Sequence, residues 1–188
     1  MRIIAGDYRG RSLKSPPSLE VRPTSDRLRE TLFNILASRI EGARFLDLCA
    51  GSGAVGIEAL SRGAAHSTFV DHSRKMCKLI EANIDLLKIP KEQASVVPAS
   101  ASDFVRRVGV KIGPWDILFF DPPYKDDYLE VLRLLGSDKG KLMSGHGLLV
   151  VEHFHKNKLP EVIENLSRTR VVKQGDSSLS FFERTPSN

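Results

Sequence analysis

Three observations predict an α/β fold with a mainly parallel sheet covered by helices on both faces. From residue 43 onward, short apolar runs alternate with stretches of helical period, the pattern of strands joined by crossover helices. The first run leads into a glycine turn, Gly51-Ser52-Gly53, that opens a helix, as the first strand–helix junction of an open parallel sheet does. A later run, Ile117-Leu118-Phe119-Phe120, stops abruptly at Asp121-Pro122-Pro123-Tyr124. Consecutive prolines donate no backbone hydrogen bonds, so the strand ladder ends there.

The elements follow in order. Residues 1–16 read as a hairpin around Gly6-Asp7-Tyr8-Arg9-Gly10, carrying Arg2, Arg9, Arg11 and Lys14. Ser15-Pro16-Pro17-Ser18 is a loop, and Arg22-Pro23-Thr24-Ser25 leads into a helix with Thr24 or Ser25 as its N-cap. Leu28, Leu32, Phe33, Ile35, Leu36 and Ile40 give that helix one buried face, which places Arg27 and Arg29 mostly on the other side. A strand at 44–48, a helix at 53–61 and a strand at 67–70 ending at Asp71 come next. Ser73 caps a helix with Met76, Leu79, Ile80, Ile84 and Leu87 on one face. Strands are expected at 94–97, 115–120 and 147–152, and helices at 102–108, 126–135 and 160–166. A last hairpin, 170–174 with 179–184, turns at Gly175-Asp176 and adds antiparallel strands at one edge. Residues 1–42 therefore form a basic hairpin-and-helix appendage to a body spanning 43–188.

Composition narrows the class. The chain has 188 residues, 41% hydrophobic and 27% charged, which suits one globular domain with a small appendage. No apolar run is long enough to span a bilayer, and the N-terminus lacks the apolar core of a signal peptide. Cys49 and Cys77 are the only cysteines, with no zinc-type spacing, so a cytoplasmic monomer with reduced thiols is expected. The net charge is +5. Residues 1–44 hold nine Arg and Lys against five Asp and Glu, so most of the excess sits at the amino end. A basic segment on a near-neutral body points to a polyanion such as nucleic acid.

Two motifs carry chemistry. Gly51, Gly53 and Gly56 fit a dinucleotide-type glycine pattern, and Asp71 ends the next strand, where it can hold a ribose. Asp47 separates the candidates. It precedes the glycine turn, where a dinucleotide would set its pyrophosphate on the helix N-terminus. A carboxylate there repels an anion. S-adenosylmethionine instead carries an ammonium and a sulfonium, each attracted by about 1 kcal/mol per close pair in water and more when sheltered. Asp47, Ala50, Gly51, Ser52 and Gly53 are thus expected around this donor, with Asp71 on the ribose hydroxyls and His72 along the adenine. Ser100 and Ala101, after the third strand, are placed at the adenine edge. At the other motif, Asp121 and the Pro122 carbonyl can accept from an amine, and Tyr124 and Pro123 can bracket a planar base.

Asp47-Leu-Cys-Ala-Gly-Ser-Gly, Asp71 and Asp121-Pro-Pro-Tyr resemble the class I amino-methyltransferases, in family order. Arg2-Ile-Ile-Ala-Gly-Asp-Tyr-Arg-Gly-Arg and Arg22-Pro-Thr-Ser-Asp-Arg-Leu-Arg narrow the likeness to the RsmD-type bacterial enzymes, which methylate N2 of a guanine in small-subunit (16S) ribosomal RNA. The resemblance covers nearly the whole chain. It implies a Rossmann-like, seven-stranded sheet, S-adenosylmethionine as methyl donor, and RNA presented within an assembled or assembling small ribosomal subunit. Ser100 stands where the family often has an acidic or amide residue. Asp121, Pro122 and Tyr124 are then the catalytic candidates. Arg9, Arg11, Arg22, Thr24, Arg27 and Arg29 are the RNA-contacting ones. His153 and His155 share a strand face at period two, but two histidines are few ligands and methyl transfer requires no metal. The alternatives are a DNA adenine-N6 methyltransferase, for which no target-recognition domain is visible, and a non-catalytic dinucleotide- or RNA-binding protein.

Overall fold

The structure is a computed structural model and describes residues 1–16, 25–122, 128–137 and 142–185. Eight strands form one sheet: β1 (Arg44–Leu48), β2 (His66–Asp71), β3 (Ala94–Pro98), β4 (Trp115–Phe120), β5 (Met143–Phe154), β6 (Val162–Ile163), β7 (Leu166–Gln174) and β8 (Ser177–Arg184). Their order is β3-β2-β1-β4-β5-β8-β7-β6. The pairs among β1 to β5 are parallel, and those linking β5 through β8 to β6 are antiparallel. From β1 the chain winds outward to β3 and then returns to β4 on β1's other side. The strand order therefore reverses between β1 and β4, and at such a switch point the crevice above the carboxyl ends accepts ligands.

Helices α1 (Asp26–Leu36), α2 (Ala54–Ser61) and α3 (Arg74–Leu87) lie in the first half of the chain, and α4 (Ala101–Asp103), α5 (Val110–Ile112) and α6 (Tyr128–Ser137) in the second. Successive strand side chains point to opposite faces, so each continuous apolar strand feeds two cores. Phe45, Ile117, Phe119, Val150 and Phe181 pack with Leu32, Phe33, Ile57 and Ile80. Leu46, Leu48, Leu118, Phe120, Leu149 and Phe182 pack with Phe104, Val105, Leu132 and Leu135. Trp115 is fully buried, and its Nε1 donates to Thr68 Oγ1 at 3.1 Å. Among the described residues, no helix is long and apolar enough to cross a membrane.

The amino-terminal segment pairs with itself over a short stretch, through an Arg2–Ser12 bridge and amide-to-carbonyl bonds from Ile3 to Arg11 at 3.0 Å, Gly10 to Ile3 at 2.9 Å and Leu13 to Met1 at 2.9 Å. Its anchorage is to the body. Ile3 and Leu13 join the first core. Buried Glu58 on α2 accepts from the Ile4 and Ala5 amides at 2.8 and 3.0 Å. Asn83 on α3, also fully buried, accepts from the Lys14 amide at 2.8 Å and donates to the Lys14 and Ser52 carbonyls, each at 3.1 Å. Ser25 caps α1 by accepting from the Leu28 amide.

Four expectations are corrected. Arg29 does not face outward: it is fully buried, 3.7 Å from Glu58 and 3.1 Å from Asp26, and it donates to the Arg2 carbonyl at 2.5 Å. Arg29, Leu32, Phe33 and Leu36 share one face at i, i+3, i+4 and i+7, so the buried face carries a cation that Glu58 neutralises. The helix expected at 160–166 is a tight hairpin instead. Ile163 pairs with Leu166 across a turn in which Glu164 has φ 52°, and Leu159, Ile163 and Leu166 are all buried. Their helix-like spacing comes from a strand doubling back. The helix expected at 102–108 runs on through α5 by way of a π-helical stretch, Phe104–Gly109. The sheet has eight strands where seven were expected, the two-residue β6 being the extra one.

Candidate active site at the crest of the sheet

A cleft of about 1250 Å³ opens over the carboxyl ends of β1, β2, β4 and β5. Asp47, Ala50, Gly51 and Ser52 line it from the first junction. Asp71, His72, Ser100 and Ala101 line it from the second and third, Asp121 and Pro122 from the fourth, and Arg27 from α1. Eleven candidates scattered through the sequence thus meet at one place. Gly53 caps α2 in the left-handed conformation, φ 78°, and shapes the turn without being among the lining residues. Arg9 and Arg11 sit on the amino-terminal turn outside the cleft, Arg11 donating to the Leu86 carbonyl at 3.3 Å on α3. Pro123, Tyr124, Arg22 and Thr24 lie outside the described residues.

The glycine turn is built around two carboxyl groups. Asp47 is 1% exposed, and its Oδ2 accepts the Gly56 amide at 2.9 Å. A Cβ at Gly56 would sit 2.3 Å from Phe69 Cε1 and 2.7 Å from Ser67 Oγ, so only glycine lets α2 lie this close to β2. Asp71 accepts from the Gly51 amide through Oδ2 at 2.9 Å and from the Ser73 amide through Oδ1 at 2.8 Å. Each oxygen keeps a further lone pair toward the cleft. Ser73 is the N-cap of α3, accepting from the Met76 amide, so Asp71 is not needed as a cap. Ser100 caps α4 and donates to Asp103 Oδ2 at 2.9 Å.

Register places three carboxyl groups on one sheet face. Asp47 pairs with Phe119, which pairs with Val150. Two residues further along, Asp121 and Glu152 leave the same face side by side. Burial pushes the Asp121 carboxyl well above the usual range, and the charges of Glu152 and Asp47 add to it. Burial likewise pushes Asp47 up to about 7, against the opposing pull of the Gly56 amide. Glu152 is 6% exposed and accepts from Ser177 Oγ at 3.1 Å.

Glu152, which the sequence offers either as a base-pocket residue or as part of a solvated edge, lines the wall; Ser177 and the Gln174-Gly175-Asp176 turn complete it and were not among the expected site residues. Glu152 had a local signal, since it closes an apolar run as Asp121 does, although β5 itself continues to Phe154. The turn had none, because only the antiparallel return of β8 along β5 brings it to the crest. Burial pushes the pKa of His153 down. Both of its ring nitrogens are occupied, Nε2 by Ser180 Oγ at 2.9 Å and Nδ1 by the Phe154 carbonyl at 3.0 Å. His155 lies past the end of β5 beside the Asp176 carbonyl.

A parallel sheet reversing between β1 and β4, a glycine turn held by two acids, and a half-buried Asp followed by a buried Pro at the β4 end define a class I methyltransferase. Comparison with known proteins agrees. Residues 1–183 match the family model described as Conserved hypothetical protein 95. The chain is 41% identical over 184 residues to the ribosomal RNA small subunit methyltransferase D of Escherichia coli strain K12, spanning 98% of this chain and 90% of that protein. It is 35% identical over 184 residues to the putative rRNA methyltransferase YlbH of Bacillus subtilis, spanning 98% of this chain and 99% of that one. Among solved structures, the putative methyltransferase yhhF from Escherichia coli superposes with a TM-score of 0.86 at 37% identity, over 100% of this chain and 99% of that one. The chain belongs to this family, the RsmD-type proteins.

Proposed function

We propose that this protein transfers a methyl group from S-adenosylmethionine to the exocyclic N2 amine of a guanine in small-subunit ribosomal RNA, acting as a cytoplasmic monomer on an assembled or assembling subunit. The observation that carries this reading is the acidic crest. Asp47, Asp121 and Glu152 share one face of the sheet beneath an open cleft, and burial pushes the carboxyl groups of the first two above the usual range, Asp47 to about 7. Such a donor set suits a ligand bearing positive charge, which relieves the cost of ionising these groups. It does not suit a pyrophosphate. The Gly56 amide in the first turn of α2 is already taken by Asp47, which removes a donor that a dinucleotide would use.

When bound, S-adenosylmethionine supplies an electrophilic methyl group on a sulfonium. The protein's own part is alignment and electrostatics. Asp47 and Asp71 face the cationic and ribose portions. The lone pair of a guanine amine is delocalised into the ring, so the amine is a poor nucleophile. Asp121 Oδ and the Pro122 carbonyl accept its N–H groups and turn the lone pair toward the methyl. Tyr124 stacks on the extruded base. Arg22, Thr24, Arg27, Arg9 and Arg11 contact RNA, and Arg29, being buried against Glu58, supports that segment from beneath.

The test is transfer of tritiated methyl to isolated small subunits, naked ribosomal RNA and DNA from cells lacking the activity. Label in guanine of the small-subunit RNA is expected. Label in DNA adenine, or binding of a nicotinamide dinucleotide in place of the sulfonium donor, overturns the assignment.

A further inference from the structure

The role of Glu152 deepens this reading and rests on it. β4 and β5 are parallel neighbours whose pairing ends at Phe120 opposite Val151, so Asp121 and Glu152 come next on adjacent strands, Glu152 still paired with Leu179 of β8. Both line the cleft. Glu152 is almost fully buried, and the hydroxyl of Ser177, brought in by β8, holds its Oε1 at 3.1 Å. A carboxyl group buried beside two other acids is costly. The cost is understandable if a ligand brings donors.

Guanine brings them in a row. Its N1–H lies next to its N2 amine, so the edge offers contiguous N–H groups, and a carboxylate is an acceptor-only group when ionised. Asp121 alone can serve the amine. A second acceptor one strand away is matched to the neighbouring ring N–H. Adenine presents the opposite pattern: its ring N1, beside the N6 amine, is an acceptor. Its lone pair would point at a carboxylate.

We propose that Glu152 is a specificity-determining residue for the base, accepting a hydrogen bond from guanine N1–H while Asp121 takes the N2 amine. Ser177 is a positioning residue that fixes the Glu152 carboxylate. No covalent step is added; the proposal concerns which base is admitted to the same transfer.

The test uses 2-aminopurine, which keeps the amine at C2 but has a lone pair at N1. Small subunits are assembled on RNA carrying either guanine or 2-aminopurine at the position where the wild-type enzyme places its methyl. Wild-type transfer to 2-aminopurine is expected to be roughly 10–100-fold slower than to guanine, the discrimination of one good base-edge contact. Glu152→Gln offers an amide that can accept from guanine or, flipped, donate to 2-aminopurine. The variant should lose a few-fold on guanine and gain on 2-aminopurine, so that the preference collapses to within about threefold. A merely structural Glu152 cannot yield a rise in absolute rate on the analogue. If the wild-type enzyme uses both bases alike, the proposal fails whatever becomes of the variant. If the variant keeps the wild-type preference, it fails also. Absence of any guanine methylation by the wild-type enzyme would instead bring down the underlying reading, and this one with it.

Discussion

Asp121 carries the heaviest demand of any single residue. It accepts most strongly from an amine when ionised, yet burial and two neighbouring acids oppose its charge. A bound cation resolves the conflict, so donor and acceptor sites are linked through charge. Asp121→Ala is expected to cut methyl transfer by roughly 10³-fold while leaving S-adenosylmethionine affinity within a few-fold. Single-turnover transfer and calorimetry measure the two separately, and near-normal transfer would remove Asp121 from the mechanism. Asp47 gives a pH prediction of definite sign. Its folded pKa stands at about 7 against an ordinary 3.8, so between those values the folded protein binds more protons than the unfolded chain. Its contribution to stability is therefore intact at low pH and is lost as pH rises through that window. Asp47→Asn keeps an acceptor for the Gly56 amide and removes the charge. In the absence of ligand, the variant's melting temperature should exceed that of the wild type at pH 8, with the gap closing by pH 5. The same group predicts that affinity for the sulfonium donor rises by up to tenfold per unit from pH 6 toward 7, and that binding releases protons. Calorimetry in buffers of differing ionisation enthalpy reads that release. A flat profile, or stronger donor binding by Asp47→Asn, would contradict it.

At the scale of elements, the α2–β2 contact and the Glu58 anchor are the parts most exposed to single changes. Gly56→Ala drives a methyl into the Phe69 ring, an overpacking cost of about 1–3 kcal/mol, which lowers the melting temperature by several degrees in a chain this size. Glu58→Ala removes the buried charge partner of Arg29, leaving it only the exposed Asp26, and frees two backbone amides, so about 3–5 kcal/mol is lost. Hydrogen exchange should locate the loosening at residues 1–16, not in β1 or β4. The elements also show what could be read from residues alone. The β1–β5 alternation, the Ser25 and Ser73 caps, the glycine turn and the Asp-Pro ending of β4 were legible because each is written in a few consecutive residues. Arg29 was misplaced on the outer side, although its spacing to Leu32, Phe33 and Leu36 is an inward one. A charged residue on that face is read as core only once its partner is known, and Glu58 lies 29 residues away on another helix. The β6–β7 hairpin was not legible. Leu159, Ile163 and Leu166 have helical spacing, and a two-residue turn at Glu164-Asn165 leaves the same imprint. The Gly175-Asp176 turn read correctly as a hairpin, yet nothing local said that it closes the cleft beside Glu152.

Over the whole molecule, charge is distributed in two layers. The crest of the sheet is acidic and sheltered, while much of the +5 excess belongs to residues 1–44; of these, residues 1–16 pack on α2 and α3, and Ser15, Pro16, Ser25 and Arg27 reach the cleft. A polyanion is drawn to the rim and repelled by the floor, which keeps backbone phosphates outside while a single neutral base enters. Binding of RNA should then depend strongly on salt, whereas binding of the small cationic donor should depend on it weakly, because the sheltered acids are less screened. Each neutralised phosphate contributes about 0.7–0.9 to the slope of log affinity against log salt. Replacing Arg9 and Arg11 together with Gln should lower that slope by about 1.5 in filter-binding titrations with small-subunit RNA. Donor affinity should stay the same, since both side chains lie outside the cleft. Arg27→Gln should lower the slope by one such increment and also slow transfer, because Arg27 lines the cleft itself. Equal slopes for wild type and both variants would place the RNA on another surface, and the basic β7 residues Arg168, Arg170 and Lys173 would become the next to neutralise.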